Sequence, residues 1–287
     1  MPGANQDLLY KHVEFLTTLR PYRNFLNTES LKKVTDYISD QFLSHGLSIS
    51  EQKWTAAGRE YKNVIASWQP EKSQRLIVGA HYDVCGNQPG ADDNASAIAG
   101  LLETARVLIV DNPKLDYGID FVAYCLEEPP FFATDEMGSY VHAKSLKDQG
   151  VNVLGMICYE MIGYFSDEPG SQTYPNEALA ELYPDIGNFI IVVGIQAYED
   201  FNSKIYQQMS VNSRIDVQKI TFPGPGGLAS MSDHLNYWKF GFPALMVNDT
   251  SFLRNPHYHE ITDDINTLDF EKMMAVVNST YRAVVGL

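Results

Sequence analysis

Hydrophobic and polar positions along the chain alternate between two periods. Residues 6–46 carry a helical stripe twice: Leu8, Leu9, Val13, Phe15 and Leu16, then Leu31, Val34, Tyr37, Ile38, Phe42 and Leu43. Thr28 and Ser30 are N-cap candidates for the second helix and Gly46 a stop. From 47 to 68 the pattern shortens to strands, SISEQKW and YKNVIASW, joined by a turn near Gly58. The central stretch, 75–110, reads as strand, polar loop and helix. Its apolar run delivers His81 and Asp83, its Gly/Pro loop sets Asp92, Asp93 and Asn94, and a helix over 94–110 stops before Asn112 and Pro113. Buried strands follow at 119–126, 153–159, 189–194 and 244–247, with helices at 137–149 and about 268–285. Alternating buried strands and helices predict an α/β fold: a three-layer α/β/α sandwich around a mixed, mostly parallel sheet.

Length and charge narrow the picture. The 287 residues, without repeat or compositional break, are read as a single domain, 1–287. A formal charge of −15 argues against a nucleic-acid partner, which would want a basic face. No run approaches the roughly 18 apolar residues of a membrane helix, and the N-terminus shows no basic-then-apolar leader. Three cysteines, an odd number without CxxC spacing, argue against a disulfide framework. Cytoplasmic residence is thereby slightly favoured over export with a leader outside this sequence. Cys125 and Cys158 sit in apolar runs and read as core residues; Cys85, close to His81, has many reasons to occupy a loop besides ligation.

The chemistry gathers at strand ends. His81 and Asp83, two residues apart on a strand, share a face, and nitrogen and oxygen donors converging on one point suit a divalent metal of the zinc type. Glu127 and Glu128 follow a second strand and Glu160 a third, where open α/β sheets place their ligands. Near the C-terminus, His257, His259, Asp263 and Asp264 supply a further imidazole ligand and a carboxylate able to orient it, although either aspartate also suits the cap of the final helix. Ser232 or Asp233 reads as a helix cap, and His234 as a packing residue.

These residues, as HYD at 81–83, GADDNAS at 90–96, the glutamate pair at 127–128 and YHEITDD at 258–264, resemble the M28 family of zinc-dependent aminopeptidases in order and spacing. The N-terminal HVxxL at 12–16, the YKNVIA strand and SDHLNYWKFGFPAL at 232–245 extend the resemblance over the whole chain. It implies two zinc ions bridged by Asp92, with a cis peptide joining Asp92 to Asp93. His81 and Glu160 would complete one ion's shell and Glu128 and His259 the other's. Asp83 would accept the second ring N–H of His81, and Asp263 would serve similarly near His259. Glu127 would be the general base, taking a proton from water whose pKa the metal lowers towards about 7 and returning it to the leaving amine.

The chain departs from the family pattern twice. Glu160 stands where aspartate is usual; it is one methylene longer and still able to ligate, which leaves one ion or a mixed-metal site open. The segment PPFFATDEMGS after the glutamate pair is longer than usual, and Phe131 and Phe132 either wall a substrate pocket or pack beneath a loop. The expected substrate is a peptide or small N-terminal amide. A glutaminyl cyclase, which shares the fold with one zinc, and a non-catalytic binding relative are the alternatives; oligomeric state is not encoded legibly.

Overall fold

The computed structural model describes residues 2–287. The two N-terminal helices form as their stripes require: α1 spans Gln6–Thr18 and α2 spans Thr28–Ser44. The Asn5 side chain caps α1 by accepting the Leu8 N–H at 3.0 Å. Neither Thr28 nor Ser30 caps α2. Thr28 is already helical, and Ser30 Oγ donates to the Pro21 carbonyl at 2.6 Å, holding the preceding loop. Gly46, at φ +80°, closes α2 as expected, its N–H donating to Leu43 O.

Among the described residues eight strands make one mixed sheet, in the order β1-β2-β4-β3-β5-β8-β6-β7. These are β1 (Ser48–Ala56), β2 (Arg59–Trp68), β3 (Gln74–His81), β4 (Gly118–Tyr124), β5 (Asn152–Glu160), β6 (Phe189–Ile195), β7 (Asp216–Phe222) and β8 (Ala244–Asn248). The central strands β4, β3, β5 and β8 run parallel, so their carboxyl ends share one edge. β1 pairs antiparallel with β2, β2 with β4, and β6 with β8. β4, β6 and β8 are buried along their whole length, which is why they read as continuous apolar runs.

Period-two alternation divides the core into two halves. Val78, Phe121, Ile157 and Val247 face α1, α2, α3 (Ala97–Asp111) and α8 (Phe270–Val285). Ile77, Val122, Met156 and Met246 face the other way, against α4 (Gly138–Asp148) and α7 (His234–Lys239). Helices on both faces give the three layers that the alternation predicted. The cap of α8 is Asp269, which accepts from the Lys272 N–H at 2.9 Å, leaving Asp263 free for other work. Two further helices, α5 (Glu177–Leu182) and α6 (Glu199–Ser210), and the edge strand β7 are not assigned from the sequence, although α6 buries Phe201, Ile205 and Met209 at helical spacing. No helix among the described residues is long and apolar enough to cross a membrane.

Three histidines in the packing layers predict an acid limit to stability. Burial pushes His12, His142 and His234 down to about 4 from an ordinary 6.5. A depressed folded-state value means the stabilisation is present above pH 6.5 and is lost as the pH falls towards 4, by up to about 3 kcal/mol per ring. Unfolding midpoints measured from pH 7 to 4.5 should therefore fall, and fall less steeply in His142→Gln.

Candidate metal centre

Five chain segments meet at the carboxyl edge of the sheet. His81 is the last residue of β3, and the parallel register sets it opposite Tyr124, the last residue of β4. The chain then turns through Leu126, at φ +64°, and presents Glu127 and Glu128. Glu160 ends β5 and is followed by Met161 at φ +45°, while His259 arrives from the C-terminal loop at φ +59°. Left-handed backbone at three non-glycine residues costs on the order of 1–3 kcal/mol each and is typical of sites whose side-chain aim is imposed by their surroundings.

The fifth segment, Ala91–Ser96, is a wide turn ahead of α3 in which Asp93 (φ −101°, ψ 91°) and Asn94 (φ −134°, ψ 35°) leave helical geometry. Gly90 makes it possible: at φ +61°, a Cβ there would lie 2.3 Å from Asp93 O and from Val84 Cγ1. The loop before it is held by Arg23, fully buried, whose guanidinium donates to the carbonyls of Leu16, Tyr82, Pro89 and Gly90.

Six donors converge. His81 Nε2 lies 3.4 Å from Asp93 Oδ1, 3.4 Å from Glu160 Oε2 and 3.7 Å from Glu127 Oε2. His259 Nε2 lies 3.1 Å from Asp93 Oδ2 and 3.3 Å from Glu128 Oε2. Asp93 thus offers one carboxylate oxygen to each imidazole. Cys85 joins the second group, its sulfur within 4.8 Å of the ligand atoms of Glu128 and His259.

Electrostatics mark the cluster as unbalanced. Four buried carboxylates face two imidazoles. Burial works against charging His81 and His259, yet the carboxylates around them prevail, lifting His81 well above its usual range and His259 to about 10. Burial, reinforced by neighbouring carboxylates, pushes Glu127 well up and Glu128 to about 7. Asp93 alone is held low, its contacts with His259 and His81 outweighing its own burial. The Cys85 thiol is pushed up to about 11 by burial, then by Glu128 and Asp93. Among the described residues His81 Nε2, Asp93 Oδ1 and Glu128 Oε1 are buried without a hydrogen-bond partner, a cost of about 1–3 kcal/mol each unless something between them is bound. Divalent cations fit this donor set.

The geometry corrects the reading of Asp92. Its carboxylate points away from the histidines and is consumed by the Gly163 N–H at 2.9 Å, Asn255 Nδ2 at 2.8 Å and Ser96 Oγ at 3.3 Å. The residue between the two imidazoles is Asp93, and the cis peptide is Asp93–Asn94 rather than Asp92–Asp93. The orienting carboxylates differ too. His81 Nδ1 makes its 3.2 Å contact with the backbone carbonyl of Asp83, whose carboxylate lies 3.6 Å away. That carboxylate accepts the N–H groups of Glu127 and Glu128, each at 3.2 Å. Asp263 does the same for the other loop, accepting the N–H groups of Asp92 at 2.9 Å and Asp93 at 3.1 Å instead of orienting His259. Two carboxylates therefore clamp the backbones that carry the ligands. Asp263→Asn, keeping the volume but losing one acceptor oxygen, should lower metal affinity about 10–100-fold, measured by competition with a chelator of known affinity.

Residues the sequence did not single out complete the shell around Glu160. Its Oε2 accepts from Ser232 Oγ at 2.6 Å and Asn94 Nδ2 at 3.2 Å. Asp233 stands at the N-cap position of α7 without a side-chain capping bond, Ser232 is spent on Glu160, and a partner 72 positions away in the chain leaves no trace in local spacing. Tyr258 stacks on His259 at 3.8 Å between centroids, and burial, then the surrounding carboxylates, holds its phenol protonated. His257 stands outside the cluster, against Thr262 Oγ1 at 2.9 Å, while His234 bonds to Ala229 O at 2.7 Å as a packing residue. Phe131 is buried edge-on against Phe25 and packs on Tyr61, so it supports the loop and does not wall a pocket.

Residues 63–284 match peptidase family M28, and the chain belongs to that family. It is 42% identical over 285 residues to the uncharacterized protein YfbL of Escherichia coli K12, covering 96% of this chain and 86% of that one. Leucine aminopeptidase 1 of Arthroderma otae is 28% identical over 74% of this chain, which spans about half (54%) of that protein's length. Among solved structures, the Legionella pneumophila LapA aminopeptidase superposes with a TM-score of 0.77 at 18% identity, covering 98% of this chain and 72% of that one. A Bacteroides thetaiotaomicron glutaminyl cyclase superposes at 0.75 and 21% identity over 100% and 99% of the two chains. At such identities these two share the fold with this protein.

Proposed function

We propose that this protein is an aminopeptidase that uses two zinc ions and removes apolar residues from peptide N-termini. The observation that carries the reading is Asp93, with one carboxylate oxygen towards His81 and the other towards His259. His81, Asp93 and Glu160 would hold one ion, and Asp93, Glu128 and His259 the other. Bound there, the ions would polarise a carbonyl and acidify water. Glu127 is the general base in this reading. Its carboxylate lies on the His81 side of the cluster, 3.7 Å from Nε2, and in this reading stays outside both shells, free to take a proton from water and pass it to a leaving amine. The protonated Tyr258 hydroxyl is a neutral donor beside the same cluster.

An apolar cavity beside Glu160 supports the substrate class. Ile191, Val193, Met231, Met246 and Phe252 line it together with Asn248, whose Nδ2 donates to Glu160 O at 2.7 Å. Met231 immediately precedes Ser232, which holds Glu160 Oε2. Asn248 and the Met231–Ser232 step thus connect the cavity wall to the Glu160 segment.

The test pairs metal content with a substrate panel. Close to two zinc ions per chain, with leucine and methionine amides hydrolysed faster than charged ones, is the expected result. One ion per chain, no amide hydrolysis and cyclisation of an N-terminal glutamine peptide would replace the reading with that of a glutaminyl cyclase.

A further inference from the structure

The two halves of the cluster are not chemically equivalent. On the His81 side every donor is nitrogen or oxygen and nearly fully buried. The His259 side is more open, its imidazole 27% exposed, and it alone has a sulfur within reach. Cys85 sits in the loop between β3 and the wide turn, half-buried, with Sγ, a Glu128 carboxylate oxygen and a His259 nitrogen all within 4.8 Å of one another. The second observation is Glu128 Oε1, buried and without a hydrogen-bond partner among the described residues. An ion between these three would satisfy it.

We propose that Cys85 is a ligand of the outer ion, which is then bound by Asp93, Glu128, His259 and a thiolate, while the inner ion is bound by nitrogen and oxygen alone. The inference rests on the two-metal reading above. Ligation forms a sulfur–metal bond as the thiol proton leaves to solvent, and the ion's own charge makes this possible among carboxylates that otherwise keep the thiol protonated. Sulfur also biases selection: a thiolate favours zinc or cobalt over magnesium or manganese at that position. The outer position would thereby be selective where the inner one accepts any ion suited to imidazole and carboxylate.

Cobalt(II) reports both features. It gives visible ligand-field bands in any such site, whereas an intense near-ultraviolet charge-transfer band requires a coordinated thiolate. Cys125 and Cys158 are deep in the core, so Cys85 is the sulfur available for it. The experiment is titration of metal-depleted full-length protein with cobalt(II), for wild type, Cys85→Ser and Cys85→Ala. The expected result is a near-ultraviolet band that grows in wild type with one of the two equivalents and is lost in both variants, whose visible bands persist. Visible bands without a charge-transfer band in wild type, or with the same band in the variants, would overturn Cys85 as a ligand and leave the two-metal reading standing. Failure to bind cobalt at all would overturn both.

Discussion

Asp93→Asn is expected to abolish metal-dependent behaviour more completely than any other single substitution. The carboxylate has two oxygens facing two imidazoles, so one change removes an anionic ligand from both shells at once. Wild type in metal at a hundredfold excess over Kd should gain about 2.7 kcal/mol per site over the chelated protein, several degrees in Tm for a chain of this size. The variant should lose most of that shift along with its activity. Asp92→Asn makes the contrast. It disturbs contacts to Gly163 and Asn255 and so lowers Tm with or without metal, but it should leave the metal-induced shift in place. A thermal shift in Asp93→Asn as large as that of wild type would show that the two imidazoles are not joined through this residue.

Glu127→Gln is expected to leave the metal content unchanged and to reduce kcat about 10²–10⁴-fold, the range associated with loss of a general acid–base. The amide preserves side-chain volume, and the Glu127 N–H stays anchored on the Asp83 carboxylate, so the backbone of the pair does not move. What disappears is the capacity to accept and return a proton. KM should change little, since Glu127 is asked to act on the proton in transit and not on the bound peptide. A variant that loses its ions along with its activity would reassign Glu127 as a ligand.

The fold was legible because its central strands are buried on both faces. Residues 119–126 and 189–194 read as strands and form β4 and β6 within two residues. The same test fails on α6 and β7. α6 carries a helical stripe in Phe201, Ile205 and Met209 that went unread between polar neighbours, and β7 is an edge strand of mostly half-buried residues without a strong period. Site residues at strand ends were legible for a related reason: polar side chains stood out where apolar runs stopped at His81, Glu127, Glu128 and Glu160. The wide turn defeated the reading because two adjacent aspartates carry the same chemistry in sequence. Only the backbone angles at Asp93 and Asn94 decide which carboxylate faces inward. Asp83 and Asp263 were recognised as supporting groups, but their bonds run to backbone N–H groups, which any residue type supplies and no motif records.

The buried guanidinium of Arg23 has a consequence for where the working unit begins. The stretch matched by the family model starts at residue 63, yet the carbonyls of Tyr82, Pro89 and Gly90, on the loop between His81 and Asp93, receive their donors from Arg23, forty positions before that start. Leu9, Val13, Leu16, Ile38 and Phe42 on the same helical pair are fully buried in the core beneath that loop. A chain trimmed to the recognisable family segment would retain every proposed ligand and lose the scaffold that fixes the distance between them. The boundary of a functional module, in this protein, is drawn by hydrogen-bond donors and not by the stretch in which the ligands lie.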